Sequence, residues 1–244
     1  MRHLILCSVM WLCGLMMAVG QNVPQVIPAL QQWKSAKGKL VLPETGKVIV
    51  SSDEENELKG EAEILVQDLK EMFGWEYSVV VGKKEKGAVY LTLGKPDKTL
   101  GEEGYRMNIQ GEVTIEAPTS KGVFWGTRTL LQMLHNQPEG LMKGRATDFP
   151  LYPNRGFMID VGRKFFTMDY LRDYVKILSF YKMNELQVHL NDNGFVEFFD
   201  NDWNKTYAAF RLESERFPGL TAKDGSYTKE EFRDFQINII MSGQ

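Results

Sequence analysis

RGFMIDVGRKFFTMDYLRDYVKILSFYKMNELQVHLNDN, residues 155–193, decides the fold. Its opening, RGFMIDVG, is a short and nearly continuous apolar run, the pattern of a strand buried on both faces of a parallel sheet. Leu171, Tyr174, Val175, Leu178 and Tyr181 then recur at helical spacing, with Asn184 as the predicted stop. ELQVHLNDN returns to alternation, with Leu186, Val188 and Leu190 on one face and Gln187 and His189 on the other. Strand, helix and strand within about 35 residues make a βαβ unit. Both strands end in polar residues, as the strands of a (β/α)8 barrel do at its catalytic rim. Arg163, three residues beyond Asp160, and Asp192, just past the second strand, are therefore predicted to face one barrel mouth. A cation and a carboxylate side by side there suit a polyhydroxylated ligand.

Upstream the rhythm differs. LVLPETGKVIVSS reads as strands broken at Pro43 and Gly46, and Leu58, Ala62, Leu65, Val66, Leu69 and Phe73 mark a helix that ends at Gly74. YSVVVG and AVYLTLG are predicted strands on either side of the charged turn KKEK. YRMNIQGEVTIEAP reads as a hairpin turning near Gln110 and Gly111, and Val123, Leu130, Leu131 and Leu134 mark a second helix. The expectation is an α+β domain, a sheet backed by two helices, over residues 21–150. HNQPEGLMKGRATDFPLYPNRG has no clean period and places a domain boundary near residue 150. After the βαβ unit, Thr228-Lys-Glu-Glu231 is a capping box opening a helix expected to run to about Gln236, before INII resumes as a third barrel strand.

The first twenty residues, MRHLILCSVMWLCGLMMAVG, combine an arginine, an apolar run and a small-x-small ending, and so read as a signal peptide cut after Gly20. The run is shorter than the roughly 20 apolar residues of a spanning helix. An exported protein, periplasmic or secreted and of bacterial type, is expected. Both cysteines, Cys7 and Cys13, fall in this leader, leaving no thiol for disulfide, metal or nucleophilic chemistry in the processed chain. With 29 basic and 32 acidic residues and no Lys/Arg block, the chain lacks the electrostatic footprint of a nucleic-acid or polybasic membrane partner. It has neither a GxSxG elbow nor a phosphate-cradling glycine loop.

Each candidate residue also has a plainer reading. A loop arginine such as Arg163 is usually solvated, and Asp192-Asn193-Gly194 has the composition of a turn. His189 stands alone on its strand with no second histidine or acid at metal-ligand spacing, so no metal and no cofactor is expected. Trp125, Trp203 and Phe195 are either sugar-stacking platforms or core aromatics.

Residues 154–195, with Arg-Gly, an apolar strand, Asp-x-x-Arg-x-Phe, a helix and His-x-x-Asp, resemble the first barrel segment of glycoside hydrolase family twenty, the β-N-acetylhexosaminidases. EGYRMNIQGEVTIEAPTSKGVFWGTRTLLQML, residues 103–134, is similar to the end of the α+β domain that precedes that barrel. The resemblance implies an α+β domain followed by an incomplete (β/α)8 TIM barrel over residues 151–244, and as partner a glycan ending in an N-acetylhexosamine. It makes Arg163 the arginine that holds the terminal sugar's hydroxyls and Asp192 the acid that supports the catalytic acid by hydrogen bonding. Asp160 and Arg155 match framework positions, and His189 a structural support. Asn193 departs from the family's second aspartate and Phe195 from its usual tryptophan, which touches subsite detail.

The family's mechanism is a substrate-assisted exception to the two-carboxylate scheme: the acetamido oxygen attacks the anomeric carbon and one protein acid protonates the leaving oxygen. That acid belongs to an Asp-Glu pair on a later barrel strand. The one Asp-Glu here, Asp53-Glu54, lies in the polar run SSDEENE and reads as a solvated loop. From Arg155 onward the chain is far shorter than the roughly 250 residues of a complete barrel. An internal deletion near Gln236 followed by an early stop is the expected cause, and no catalysis by this chain alone is the expected consequence. The rival expectation is a non-catalytic carbohydrate-binding or interaction module built on the first domain.

Overall fold

A computed structural model describes residues 23–205, 208–217 and 219–241; the expected signal peptide lies outside them. The first half is a seven-stranded mixed sheet built from β1 (Gln32–Leu40), β2 (Thr45–Val50), β3 (Glu76–Val81), β4 (Val89–Leu93), β5 (Tyr105–Ile109), β6 (Val113–Ala117) and β7 (Leu141–Asp148). The strand order is β1-β7-β5-β6-β4-β2-β3. Helices α1 (Glu55–Phe73) and α2 (Ser120–Asn136) pack on each other and on the sheet.

Helix α1 buries Leu58, Ala62, Leu65 and Leu69, one stripe at helical spacing, and stops as expected at Gly74. Gly74 is left-handed (φ 72°), and the N–H groups of Gly74 and Trp75 close the last turn on the carbonyls of Lys70 and Leu69. Helix α2 starts where the Thr119 hydroxyl accepts from the Gly122 N–H at 3.2 Å. It is buried almost all round because the sheet, α1 and the second half of the chain enclose it. The β5–β6 hairpin is antiparallel, as its sequence predicts.

Two expectations for this half are corrected. β2 runs through Gly46 instead of breaking there: a Cβ would lie 2.8 Å from the Tyr77 ring, so the glycine admits a side chain from β3. And the stretch without a period contains β7, paired with both β1 and β5. The inward positions from the middle of β7 onward are Gly144, Ala146 and Asp148, which alternate in burial but not in hydrophobicity. Gly144 is small because Trp33 of β1 lies on it. β1 itself is an edge strand with a register shift and Lys34, Lys37 and Lys39 along it, which blunts further pairing.

The second half is the expected βαβ unit. β8 (Gly156–Asp160) and β9 (Glu185–His189) are parallel, and α3 (Met168–Phe180) joins them. Thr167 caps α3 by accepting from the Tyr170 N–H, and Met168, Leu171 and Val175 are buried against Ile159, Val161, Tyr227 and Phe235. Leu186, Val188 and Leu190 pack on the same cluster, so the predicted face of β9 is the inner one.

Other details differ from expectation. α3 ends before Asn184, whose side chain accepts from the Arg155 N–H at 2.8 Å and so fixes the entry to β8. β8 is not buried on both faces: Phe157 is 47% and Met158 51% exposed, because β9 is its one neighbour among the described residues. The polar end of the predicted strand is a separate piece, β10 (Asn191–Asn193), antiparallel to β11 (Ala208–Phe210), so Asp192 lies in a short strand, not a turn. The capping box holds, with Thr228 and Glu231 each accepting from the other's N–H. The helix it opens, α4 (Lys229–Met241), continues through Ile237–Ile240, so INII is helical and the third strand expected there is absent. No helix of the described residues is long and apolar enough to cross a membrane.

Candidate functional site

Parallel pairing puts Asp160 opposite His189, so the C-terminal ends of β8 and β9 deliver an acid and an imidazole side by side. The chain then turns through Val161 and Gly162, whose N–H groups both donate to the His189 carbonyl, at 3.1 and 3.0 Å. Gly162 lies so close to β10 that a Cβ would be 2.7 Å from the Asp192 nitrogen. This close approach brings Arg163 to Asp192.

Arg163 donates its main-chain N–H to Asp160 Oδ1 at 3.0 Å and its Nη1 to Asp160 Oδ2 at 2.5 Å. Its Nη2 lies 2.8 Å from Asp192 Oδ2. The same Asp192 oxygen is 2.8 Å from His189 Nε2, and Asp192 Oδ1 accepts from the Asn193 N–H at 2.7 Å. Phe195 caps the guanidinium, 5.0 Å from ring centre to Cζ. The site residues named from sequence, Asp160, Arg163, His189, Asp192 and Asn193, thus form one connected cluster, partly open to solvent.

The hydrogen bond from His189, then the Asn193 N–H and the charge of Arg163, hold the Asp192 carboxyl below its ordinary value against the opposing effect of desolvation. At Asp160 burial pushes the carboxyl up, but the Arg163 N–H, guanidinium and charge outweigh it and the net direction is down. Both acids are therefore ionised at neutral pH. Carboxyl carbon NMR is expected to place the Asp192 midpoint below the roughly 3.9 of a free aspartate. Arg163→Ala should move it upward, and an unmoved midpoint would mean that the ion pair does not exist in solution.

In space His189 is not alone: ligand atoms of Asp160, His189 and Asp192 lie within 4.8 Å of one another, close enough for a metal ion. Strand register supplies these neighbours, which corrects the inference drawn from sequence spacing. The guanidinium of Arg163 already bridges the two carboxylates, so a dication would meet a fixed positive charge. The cluster is built to present fixed donors and acceptors, as hydroxyl groups need.

Of the aromatic candidates, Trp125 is core, whereas Phe195 and Trp203 are exposed. Asp53 lies exposed in a turn, as expected, but Glu54 is half-buried: it accepts from the Leu93 N–H and the Thr92 hydroxyl, at 2.8 and 2.9 Å, and pins the start of α1 to β4. Sequence reasoning missed Arg211, a lone arginine in an irregular stretch that proves to be buried beneath the Arg163 turn. It also missed Lys182 and Asp148, which no local pattern connects.

Comparison with known proteins gives the fold and the cluster a common context. The model of glycosyl hydrolase family 20, domain 2, matches residues 23–149, and that of glycosyl hydrolase family 20, catalytic domain, matches residues 152–238. A β-hexosaminidase of Akkermansia muciniphila is 31% identical over 140 residues, covering 56% of this chain and 28% of that protein. One from Porphyromonas gingivalis is 25% identical over 232 residues, covering 86% of this chain and again 28% of the relative. A solved variant of Streptomyces plicatus β-hexosaminidase, in complex with the product GlcNAc, superposes with a TM-score of 0.72 at 25% identity, over 91% of this chain and 45% of that one. The chain thus spans less than a third of the length of these two curated relatives. With family models accounting for both halves, and α1 and α2 packed on a sheet ahead of a βαβ unit, the chain belongs to glycosyl hydrolase family 20.

Proposed function

We propose that this chain carries the sugar-holding side of a β-N-acetylhexosaminidase site. Residues 21–150 are the α+β domain, and residues from 151 onward open a (β/α)8 catalytic barrel that is incomplete in this chain. The observation that carries the reading is the guanidinium of Arg163 bridging Asp160 and Asp192 at the C-terminal ends of two adjacent parallel strands. Arg163 donates to hydroxyls of a terminal N-acetylglucosamine or N-acetylgalactosamine. Asp192, held ionised and oriented by His189 and the Asn193 N–H, accepts from the sugar side and stands ready to support a neighbouring acid.

In the complete reaction the substrate's acetamido oxygen attacks the anomeric carbon, the bond to the leaving oxygen breaks, and a carboxylic acid hands that oxygen its proton. Water then opens the cyclic intermediate with retention. The acid and its partner aspartate form an Asp-Glu pair, and the Asp-Glu of this chain is committed elsewhere, with Glu54 bound to β4. With no Asp-Glu pair at this mouth, residues 1–244 by themselves are expected to bind a terminal N-acetylhexosamine without cleaving it. The apolar leader, residues 1–20, directs the protein out of the cytoplasm, to the periplasm or the medium.

Purified chain incubated with an aryl N-acetyl-β-glucosaminide is expected to release no aglycone above the buffer rate. Turnover that disappears in Arg163→Ala would overturn the proposal that the chain binds without cleaving.

A further inference from the structure

Arg211 follows β11 and is the largest fully buried side chain among the described residues, 1% exposed. A guanidinium carries five N–H donors in a planar fork, and each of these five has an acceptor. Nε donates to the Val161 carbonyl at 2.6 Å and Nη2 to the Gly162 carbonyl at 3.0 Å. Nη1 donates to the Gly225 carbonyl at 2.9 Å, and the remaining two donors form a fork on Asp224, at 2.5 and 3.2 Å. The main chain is used as well: the Arg211 N–H donates to the Leu190 carbonyl and its carbonyl accepts from Tyr227.

Val161 and Gly162 are the two residues between Asp160 and Arg163. Their N–H groups are held by the His189 carbonyl and their carbonyls by Arg211, so the peptide planes that launch Arg163 are fixed from both sides. We propose that Arg211 is the positioning residue of the sugar site: buried and out of reach of any ligand, it sets the direction in which Arg163 leaves the backbone and so keeps its guanidinium on Asp192. This deepens the sugar-binding reading and rests on it for its functional consequence. Lysine cannot substitute, because a single ammonium cannot reproduce a planar fork that spans two successive carbonyls and a carboxylate.

The test is Arg211→Lys in the full chain, with Asp224→Asn as a gentler second variant, since Asp224 is half exposed. Two quantities are measured: the heteronuclear NOE of the Arg163 side-chain Nε–H without ligand, and the affinity for N-acetylglucosamine. Loss of the rigid Arg163 signal together with at least tenfold weaker binding is expected in Arg211→Lys, and a smaller change of the same sign in Asp224→Asn. Backbone amide shifts of α1 and α2 should not move, which separates positioning from general loss of structure. A folded Arg211→Lys with an unchanged Arg163 NOE overturns the proposal. If that variant does not fold, an unchanged NOE in Asp224→Asn does so. If the unmodified chain binds no sugar while the Arg163 signal still depends on Arg211, the functional reading fails and the positioning role stands.

Discussion

Asp148→Ala is expected to destabilise the protein by roughly 3–5 kcal/mol, the range found when one partner of a buried ion pair is removed. Asp148 ends β7, and its Oδ2 lies 2.8 Å from the ammonium of Lys182, which follows α3 in a left-handed conformation (φ 61°). Both residues are buried. The Tyr105 hydroxyl donates to the same carboxylate at 2.8 Å, and the Gln31 N–H donates to the other oxygen at 3.1 Å. Burial pushes Lys182 below the usual lysine value and Asp148 opposes that shift; burial and the Asp148 charge together push Tyr105 well up. Removing the carboxylate leaves the buried Lys182 ammonium with the Tyr105 hydroxyl, 3.0 Å away, and no counter-charge.

The loss should be structural in a specific way. Lys182 and Arg155 belong to the βαβ half, while Asp148, Tyr105 and Glu103 belong to the sheet half, and Arg155 reaches Glu103 at 2.5 Å. These pairs tie the halves together, so denaturant unfolding of Asp148→Ala is expected to show a lower midpoint and to separate the two halves. Asp148→Leu combined with Lys182→Met, which removes both charges of this buried pair, should recover most of the loss. A single alanine variant as stable as the parent would mean the junction is hydrated.

Phe124→Ala is expected to cost about 3–5 kcal/mol as well, by another mechanism, since it removes a large buried ring. Phe124 lies in α2, packs edge-on against Trp125 at 5.0 Å, and lies under the Arg128 guanidinium at 4.5 Å. That guanidinium is itself buried and paired with Asp68 at 2.6 Å, so the cavity would also loosen a buried charge. Phe157→Ala in β8 is the contrast. That ring is half exposed and touches Tyr174, so the expected cost is under about 1 kcal/mol. Thermal or chemical unfolding of the two variants measures whether stability resides mainly in the first core. Equal losses would show that β8 is more deeply packed than its exposure indicates.

Elements whose buried faces are apolar were readable in advance. Leu58 to Leu69 in α1 and the alternation of β9 each carry the period of the structure they form, and the capping box at Thr228 marks where its helix opens. β7 was not readable because its inward side chains after Leu141 are glycine, alanine and aspartate, which admit Trp33 and reach Lys182. INII was misread because four apolar residues alone fit a strand or a helix, and the capping box upstream settles it by opening a helix that continues through them. At the site, positions after consecutive strands brought Arg163 and Asp192 onto the same mouth. Strand register was needed to see that Asp160 and His189 join them, and tertiary structure alone could show Arg211 beneath the turn.

The most direct test of the sugar-holding role is a titration of the isotope-labelled chain with N-acetylglucosamine, followed at the amides of residues 160–163 and 189–193 and at the Arg163 side chain. Saturable shifts confined to that cluster are expected, with a Kd on the order of millimolar, equivalent to about 4 kcal/mol, and they should disappear in Arg163→Ala. Absence of saturable shifts at Arg163 and Asp192, or shifts that persist unchanged in Arg163→Ala, would contradict that role.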